Sequence, residues 1–161
     1  MTQYRFRASA ASLYACLQLS APGACAQVTT ERVSGAFTVA MTSVGEPDRK
    51  AGAEIGQMLL DKQYFGDLTA TGQGRMLSVV TGTRGSAAYV AIERVSGTLR
   101  GKTGSFVIQH AGTMSGGAQT LQISIVPDSG TGQLAAIRGA MAIRMVGRDH
   151  FYDLDYTLAH K

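Results

Sequence analysis

From Val33 onward the chain alternates with a period close to two, and glycine interrupts the alternation wherever the chain must turn. In 33–41, Val33, Gly35, Phe37, Val39 and Met41 alternate with Ser34, Ala36, Thr38 and Ala40. In 118–126, Leu121, Ile123 and Ile125 oppose Thr120, Gln122 and Ser124. In 149–158, His150, Tyr152, Leu154, Tyr156 and Leu158 oppose Asp149, Asp153, Asp155 and Thr157. Such alternation is the signature of strands with one buried face. Segments 54–65, 67–80, 86–99, 102–114 and 138–146 are strand-like too, with glycine at or near their ends. A helical period persists nowhere after residue 27; Gln133 to Ile137 has room for one helical turn.

Eight consecutive strands with short connections imply hairpins and an antiparallel meander. A meander of that size removes its edges by closing into a barrel. The expected fold is all-β: a single eight-stranded antiparallel barrel. Its interior either fills with side chains or holds one small ligand. Turn sites include Gly45-Glu46-Pro47-Asp48, Gly82-Thr83-Arg84-Gly85, Gly116-Gly117 and Gly147-Arg148-Asp149. The chain has no asparagine, so glycine must supply most positive-φ positions, which explains much of its count of 20. On 86–99 one face carries Ala87, Tyr89, Ala91, Glu93 and Val95, and the other carries Ala88, Val90, Ile92 and Arg94. Both are partly apolar, so the strand is expected to be covered on both sides. A pocket inside and an oligomer interface outside would do that, as would a bulge or a thick core.

Residues 1–26 have the layout of a secretory signal peptide. Arg5 and Arg7 form a positive start, Ala8 to Leu19 a modestly apolar stretch, and Ala24-Cys25-Ala26 a small-x-small cleavage site. The expected division is a cleaved signal over 1–26 and a barrel domain over 27–161, with a periplasmic or secreted location and a cytoplasmic one as the alternative. Cleavage would remove both cysteines, Cys16 and Cys25, and with them any thiol chemistry. It would also remove two arginines, leaving 13 Lys and Arg against 11 Asp and Glu, a net +2 in place of +4. The remaining basic residues are scattered singly, so nucleic-acid binding is not expected. No run is long and apolar enough for an ordinary spanning helix, and no membrane anchor is expected.

Four segments together carry a family resemblance. They are Lys62-Gln63-Tyr64-Phe65-Gly66-Asp67-Leu68, Gly85 through Val95, Gly104 through Gly112, and Val126-Pro127-Asp128-Ser129-Gly130-Thr131-Gly132-Gln133-Leu134. Over 33–158 the chain resembles a bacterial family of uncharacterised small proteins placed among the allene oxide cyclase-like β-barrels. The resemblance implies a barrel that shapes a reactive ligand in its interior without a cofactor. It implies no particular activity, because the bacterial family has none to carry over. Tyr64, where that family usually has phenylalanine, and Ala70, in place of a common glycine, depart from its pattern.

The candidate catalytic residues are Glu93 and His110. A carboxylate inside an apolar barrel is expected to have a raised pKa suited to proton transfer. The alternative is a surface glutamate paired across strands with Arg or Lys, because alternation does not say which face points inward. His110 shares a face with Phe106 and Ile108, and is either a proton-transfer group or a hydrogen-bonded structural histidine. Tyr89, Gln109, Lys62 and Tyr64 are candidate ligand-binding residues. Gln109 and His110 point to opposite faces, so at most one lines a cavity. Lys62 would either bind an anionic group or, the simpler case, snorkel to the rim. His150, at a turn, and His160 are expected to be solvated. Gly97 to Thr103 mimics a phosphate loop but has three residues between its glycines instead of four, and Gly72-Gln73-Gly74 lacks the rest of a dinucleotide fingerprint. No metal-ligand spacing is present, so neither metal nor cofactor is expected.

The function these residues suggest is small-molecule binding inside the barrel. Its enzymatic form would be a cofactor-free cyclase, isomerase or lyase acting on a small, largely apolar substrate. The alternatives are a non-enzymatic periplasmic carrier of a hydrophobic metabolite and a structural, oligomer-forming barrel. A small hydrophobic ligand and a second or third copy of the chain, as dimer or trimer, are the expected partners.

Overall fold

The computed structural model describes residues 29–158. Its strands are β1 (Glu31–Ser43), β2 (Asp48–Lys50), β3 (Ala53–Gly66), β4 (Leu68–Thr81), β5 (Ala87–Leu99), β6 (Lys102–Ser115), β7 (Ala118–Ile125), β8 (Ile137–Val146) and β9 (Asp149–Leu158). Each long strand pairs antiparallel with the next in sequence from β3 to β9, then β9 pairs with β1 and β1 with β3. The circuit is a closed eight-stranded barrel. The short β2 stands outside it, adding only to the start of β3. Alternation did not show this ninth strand, because its three residues are all exposed. The proposed signal segment, with Cys16 and Cys25, and His160 lie outside the described residues.

Parity fixes the inward face of each strand. Val33 and Phe37 of β1, Leu60, Lys62 and Tyr64 of β3, and Leu68 and Ala70 of β4 are buried. So are Ala91, Glu93 and Val95 of β5 and Phe106, Ile108 and His110 of β6. The hairpin joining β5 to β6 has a two-residue loop, Arg100-Gly101, with φ of 44° and 80°. Two positive φ values are what a right-twisted hairpin needs. Arg100 takes this conformation without being glycine, and three contacts hold it. Its backbone N–H donates to Asp67 O at 2.9 Å. Its guanidinium donates to Glu31 Oε2 at 3.3 Å and to Arg32 O at 3.2 Å.

The barrel's two ends differ. One is closed by Tyr64, Leu68, Leu99, Phe106, Ile137, Tyr152, Leu154 and Tyr156, all buried. After β7 the chain leaves the sheet and crosses this end as a plug. Its single 3-10 turn, Gly132–Leu134, buries Leu134. The plug is tied to β6 through Val126 N to Val107 O at 2.8 Å and Thr131 N to Ser105 O at 2.8 Å. This departure leaves β7 and β8 paired only at Ser124 opposite Ala140. Among the described residues the other end is open.

Candidate functional site

Glu93 lies at mid-barrel with no solvent exposure. Its neighbours come from other strands, and the way they reach it follows from the register. Lys62 of β3 is two strands away, with β4 between. The inward positions of β4 at this level are Gly72, opposite Lys62, and Gly74, opposite Glu93. Neither has a side chain, so the two charged side chains meet across a bare strand. A Cβ at Gly72 would overlap Glu93 Oε1 and approach Tyr64 Cε2 to 3.1 Å. The Gly72-Gln73-Gly74 stretch, no nucleotide motif, is the gap that holds the cluster.

Lys62 Nζ donates to Glu93 Oε2 at 2.7 Å, and the Tyr64 hydroxyl donates to Oε1 at 2.7 Å. His110 Nε2 lies 3.2 Å from Oε2, a distance within hydrogen-bond range. The ring N–H does not point along that line, so among the described residues Nε2 has no aligned hydrogen-bond partner. The contact is electrostatic and close. Lys62 Nζ also sits over the Phe37 ring, 5.0 Å from its centre.

Burial is the largest single influence on Glu93 and pushes its pKa up. His110, Lys62 and Tyr64 oppose it and together outweigh it, so the group lies below its ordinary value. The expectation of a raised pKa is corrected: the three contacts hold Glu93 as a carboxylate. Tyr64 moves the opposite way. Burial, then the Glu93 charge, raise its pKa well above that of a free phenol, which keeps it a donor.

Above the cluster the barrel opens into a cavity of about 460 Å³. Lys62 and His110 border it from below, and Tyr89 forms part of its wall. Most of the rest is apolar, including Phe37, Val39, Leu60, Leu121 and Ile143, with four methionines, Met41, Met76, Met114 and Met145. Thioether chains are flexible, so this rim can repack. Tyr89 lies against the bare backbone of Gly112: a Cβ there would fall 2.9 Å from the ring's Cδ1 and closer still to Cε1. Burial raises the pKa of Tyr89.

The candidates from sequence therefore divide. Glu93, Lys62, Tyr64 and His110 form one cluster, and Tyr89 stands above it. Lys62 does not snorkel; it is 8% exposed and turned to Glu93. Tyr64 does not line the cavity either, being sealed beneath it by its bond to Glu93. Gln109 is excluded from the interior. It faces outward, as His110 faces in, and donates to Ser124 Oγ at 3.1 Å on the outer surface. His150, expected to be solvated at a turn, instead belongs to β9, borders the cavity mouth and lies 5.1 Å from the Phe37 ring. Its place in the Asp149–Leu158 alternation was the signal for this. Among the described residues no group of three or more His, Cys, Asp or Glu could hold a metal ion.

Fold and site together define a closed antiparallel barrel with a buried ionic cluster at its centre and an apolar mouth above it. The chain belongs to the DUF3224 family, described as proteins of unknown function, whose profile matches residues 33–156. It is similar to a solved DUF3224 protein of unknown function from Shewanella oneidensis MR-1. The two are 41% identical with a TM-score of 0.79, over 83% of this chain and all of that one. No curated protein matches the chain.

Proposed function

We propose that this protein binds one small, largely apolar molecule in the barrel mouth. The cavity carries the reading. Its volume of about 460 Å³ and its mostly apolar walls fit a small-molecule site, and Lys62 and His110 place two polar groups at its base. The resemblance to allene oxide cyclase-like barrels, on the four segments quoted above, points the same way. In the enzymatic form, a cofactor-free isomerase, cyclase or lyase, the proton-transfer group in contact with the ligand is His110. Glu93 does not border the cavity and acts through His110 and Lys62 as a positioning residue. The non-enzymatic carrier is the second reading, supported by the flexible methionine mouth. The homo-oligomer remains part of the proposal, because Leu77, Val90 and Ile92 leave an apolar stripe on the outer face of β4 and β5, each more than half exposed in the single chain. Light scattering that finds only monomer removes that part.

The test of binding is a naphthylamine dye that brightens in apolar surroundings. Wild-type protein should brighten it, and Met76→Trp, which fills the cavity, should not. No brightening by the wild type, or equal brightening by a folded Met76→Trp, would overturn the reading. A His110→Asn variant separates the two forms: a carrier keeps its ligand and function, whereas an enzyme keeps binding and loses turnover.

A further inference from the structure

The floor of the cavity places a fixed hydrogen-bond donor beside an imidazole. Lys62 Nζ and His110 Nε2 stand 2.7 and 3.2 Å from the same Glu93 oxygen, which keeps them within about 6 Å of each other. Both residues border the cavity. The Lys62 ammonium has three N–H bonds and one close partner, Glu93; its next contact, Tyr64 Oη, is at 3.5 Å. His110 Nε2 is sealed from solvent against Glu93. Nδ1 is then the ring's remaining polar atom, and the one left to meet a ligand. A carboxylate facing Nε2 favours the tautomer with its proton there, which leaves the lone pair on Nδ1.

A donor for an oxygen and a base for a neighbouring carbon, side by side in an apolar site, are the minimum equipment for moving a proton α to a carbonyl. Resting on the ligand-binding reading above, we infer that the cavity takes enolisable carbonyl compounds, small apolar ketones or aldehydes, and shifts a proton on them. His110 Nδ1 removes the α-proton. The C–H electron pair becomes the new C=C bond, and the carbonyl π pair moves onto oxygen. Lys62 Nζ donates a hydrogen bond to that oxygen as its charge develops, and Glu93 balances the imidazolium. The imidazolium then returns the proton to the same carbon or to a conjugated one. The substrate is isomerised or exchanged with no oxidant, reductant or co-reactant.

The test is α-proton exchange of 2-tetralone in deuterated water, followed by proton NMR, with binding read separately by saturation transfer. The full chain should exchange the ketone about 10²–10⁴-fold faster than the same concentration of free imidazole, the range ordinary for a positioned base. His110→Asn should lose that acceleration while still binding the ketone. Lys62→Arg, which keeps the charge but moves the donor, should lose part of it. Lys62→Met risks unfolding and is not needed. Binding without acceleration, or acceleration that survives His110→Asn, overturns the carbonyl inference and leaves the binding reading standing. Dye binding without ketone binding does the same. Failure of both dye and ketone to bind overturns the two together.

Discussion

The two ends of this barrel are built from the same eight strands and do opposite things. At the closed end the inward positions are aromatic or branched, and they are buried almost without exception: Phe106 is 1% exposed, Leu99 and Leu154 not at all. At the mouth aromatic and branched residues mix with four methionines, and the lining is open: Met41 and Met145 are 58% and 65% exposed. The plug segment covers one end and nothing among the described residues covers the other. The closed end therefore carries the fold, and the ionic cluster lies at the boundary between it and the mouth that we propose takes a ligand.

The largest effect that would break this contrast is on stability. Phe106→Ala should cost about 3–5 kcal/mol, a large aromatic removed from a packed core. Met145→Ala should cost within about 0.5 kcal/mol, as for an exposed side chain without a special role. Urea unfolding of the two variants measures both. Comparable losses would mean that the mouth is as structural as the base.

The boundary comes next. Glu93→Ala leaves Lys62 buried without its partner and should cost about 3–5 kcal/mol. The double variant Glu93→Leu with Lys62→Met should recover most of that, because an apolar pair of similar size avoids the desolvation of both charges. The cluster also sets an acid response. Glu93 is held below its ordinary value of 4.5, so the folded state keeps the carboxylate ionised where the unfolded chain would protonate it. Its contribution is complete above the unfolded pKa and is lost as pH falls through the lower, folded one. The urea midpoint of the wild type should drop between pH 6 and pH 3 by more than that of Glu93→Gln. An equal drop would show that other carboxylates dominate.

Gly72→Ala should follow, at about 1–3 kcal/mol, the usual cost of forcing a methyl into filled space. The new Cβ overlaps the Glu93 carboxylate and crowds the Tyr64 ring, so the cluster has to shift. Outward-facing Gln73→Ala, one residue along, serves as control and should be near neutral.

Gly72 also shows how much was legible from sequence. Strand limits were, because alternation and glycine turns are local: the expected 102–114 and 138–146 are seen as Lys102–Ser115 and Ile137–Val146. The candidates Glu93, His110, Lys62 and Tyr64 could be named from chemistry and parity. That they form one cluster could not, because it depends on register between strands and on which face turns inward. The clue was present in Gly72 and Gly74, two glycines at spacing two inside a strand, where a glycine commonly marks close approach by something else. Gln109 was misplaced for the same reason: with inward and outward faces undetermined, either it or His110 was free to be the interior residue. The raised pKa expected for an interior Glu93 follows from burial alone, and parity within one strand does not reveal the three partners on β3 and β6 that reverse it.

A small effect on stability sharpens the comparison most. Gly112→Ala places a methyl where the Tyr89 ring now lies against bare backbone. The residue sits at the mouth, where the ring has open space to move into, so the stability change should be under about 1 kcal/mol, below the usual cost of overpacking a closed core. The displaced ring swings toward the cavity and shortens it. Dye binding should weaken severalfold, whereas Gly112→Ala combined with Tyr89→Ala should restore it, because the obstruction is the ring and not the methyl. Gly104, on the same strand at the closed end, gives the converse. A Cβ there would fall 3.1 Å from Leu134 Cβ and against the Thr131 carbonyl of the plug. Gly104→Ala should therefore destabilise the barrel and leave dye affinity of the folded fraction unchanged. If the two substitutions behaved alike, the division of labour between the ends would be wrong.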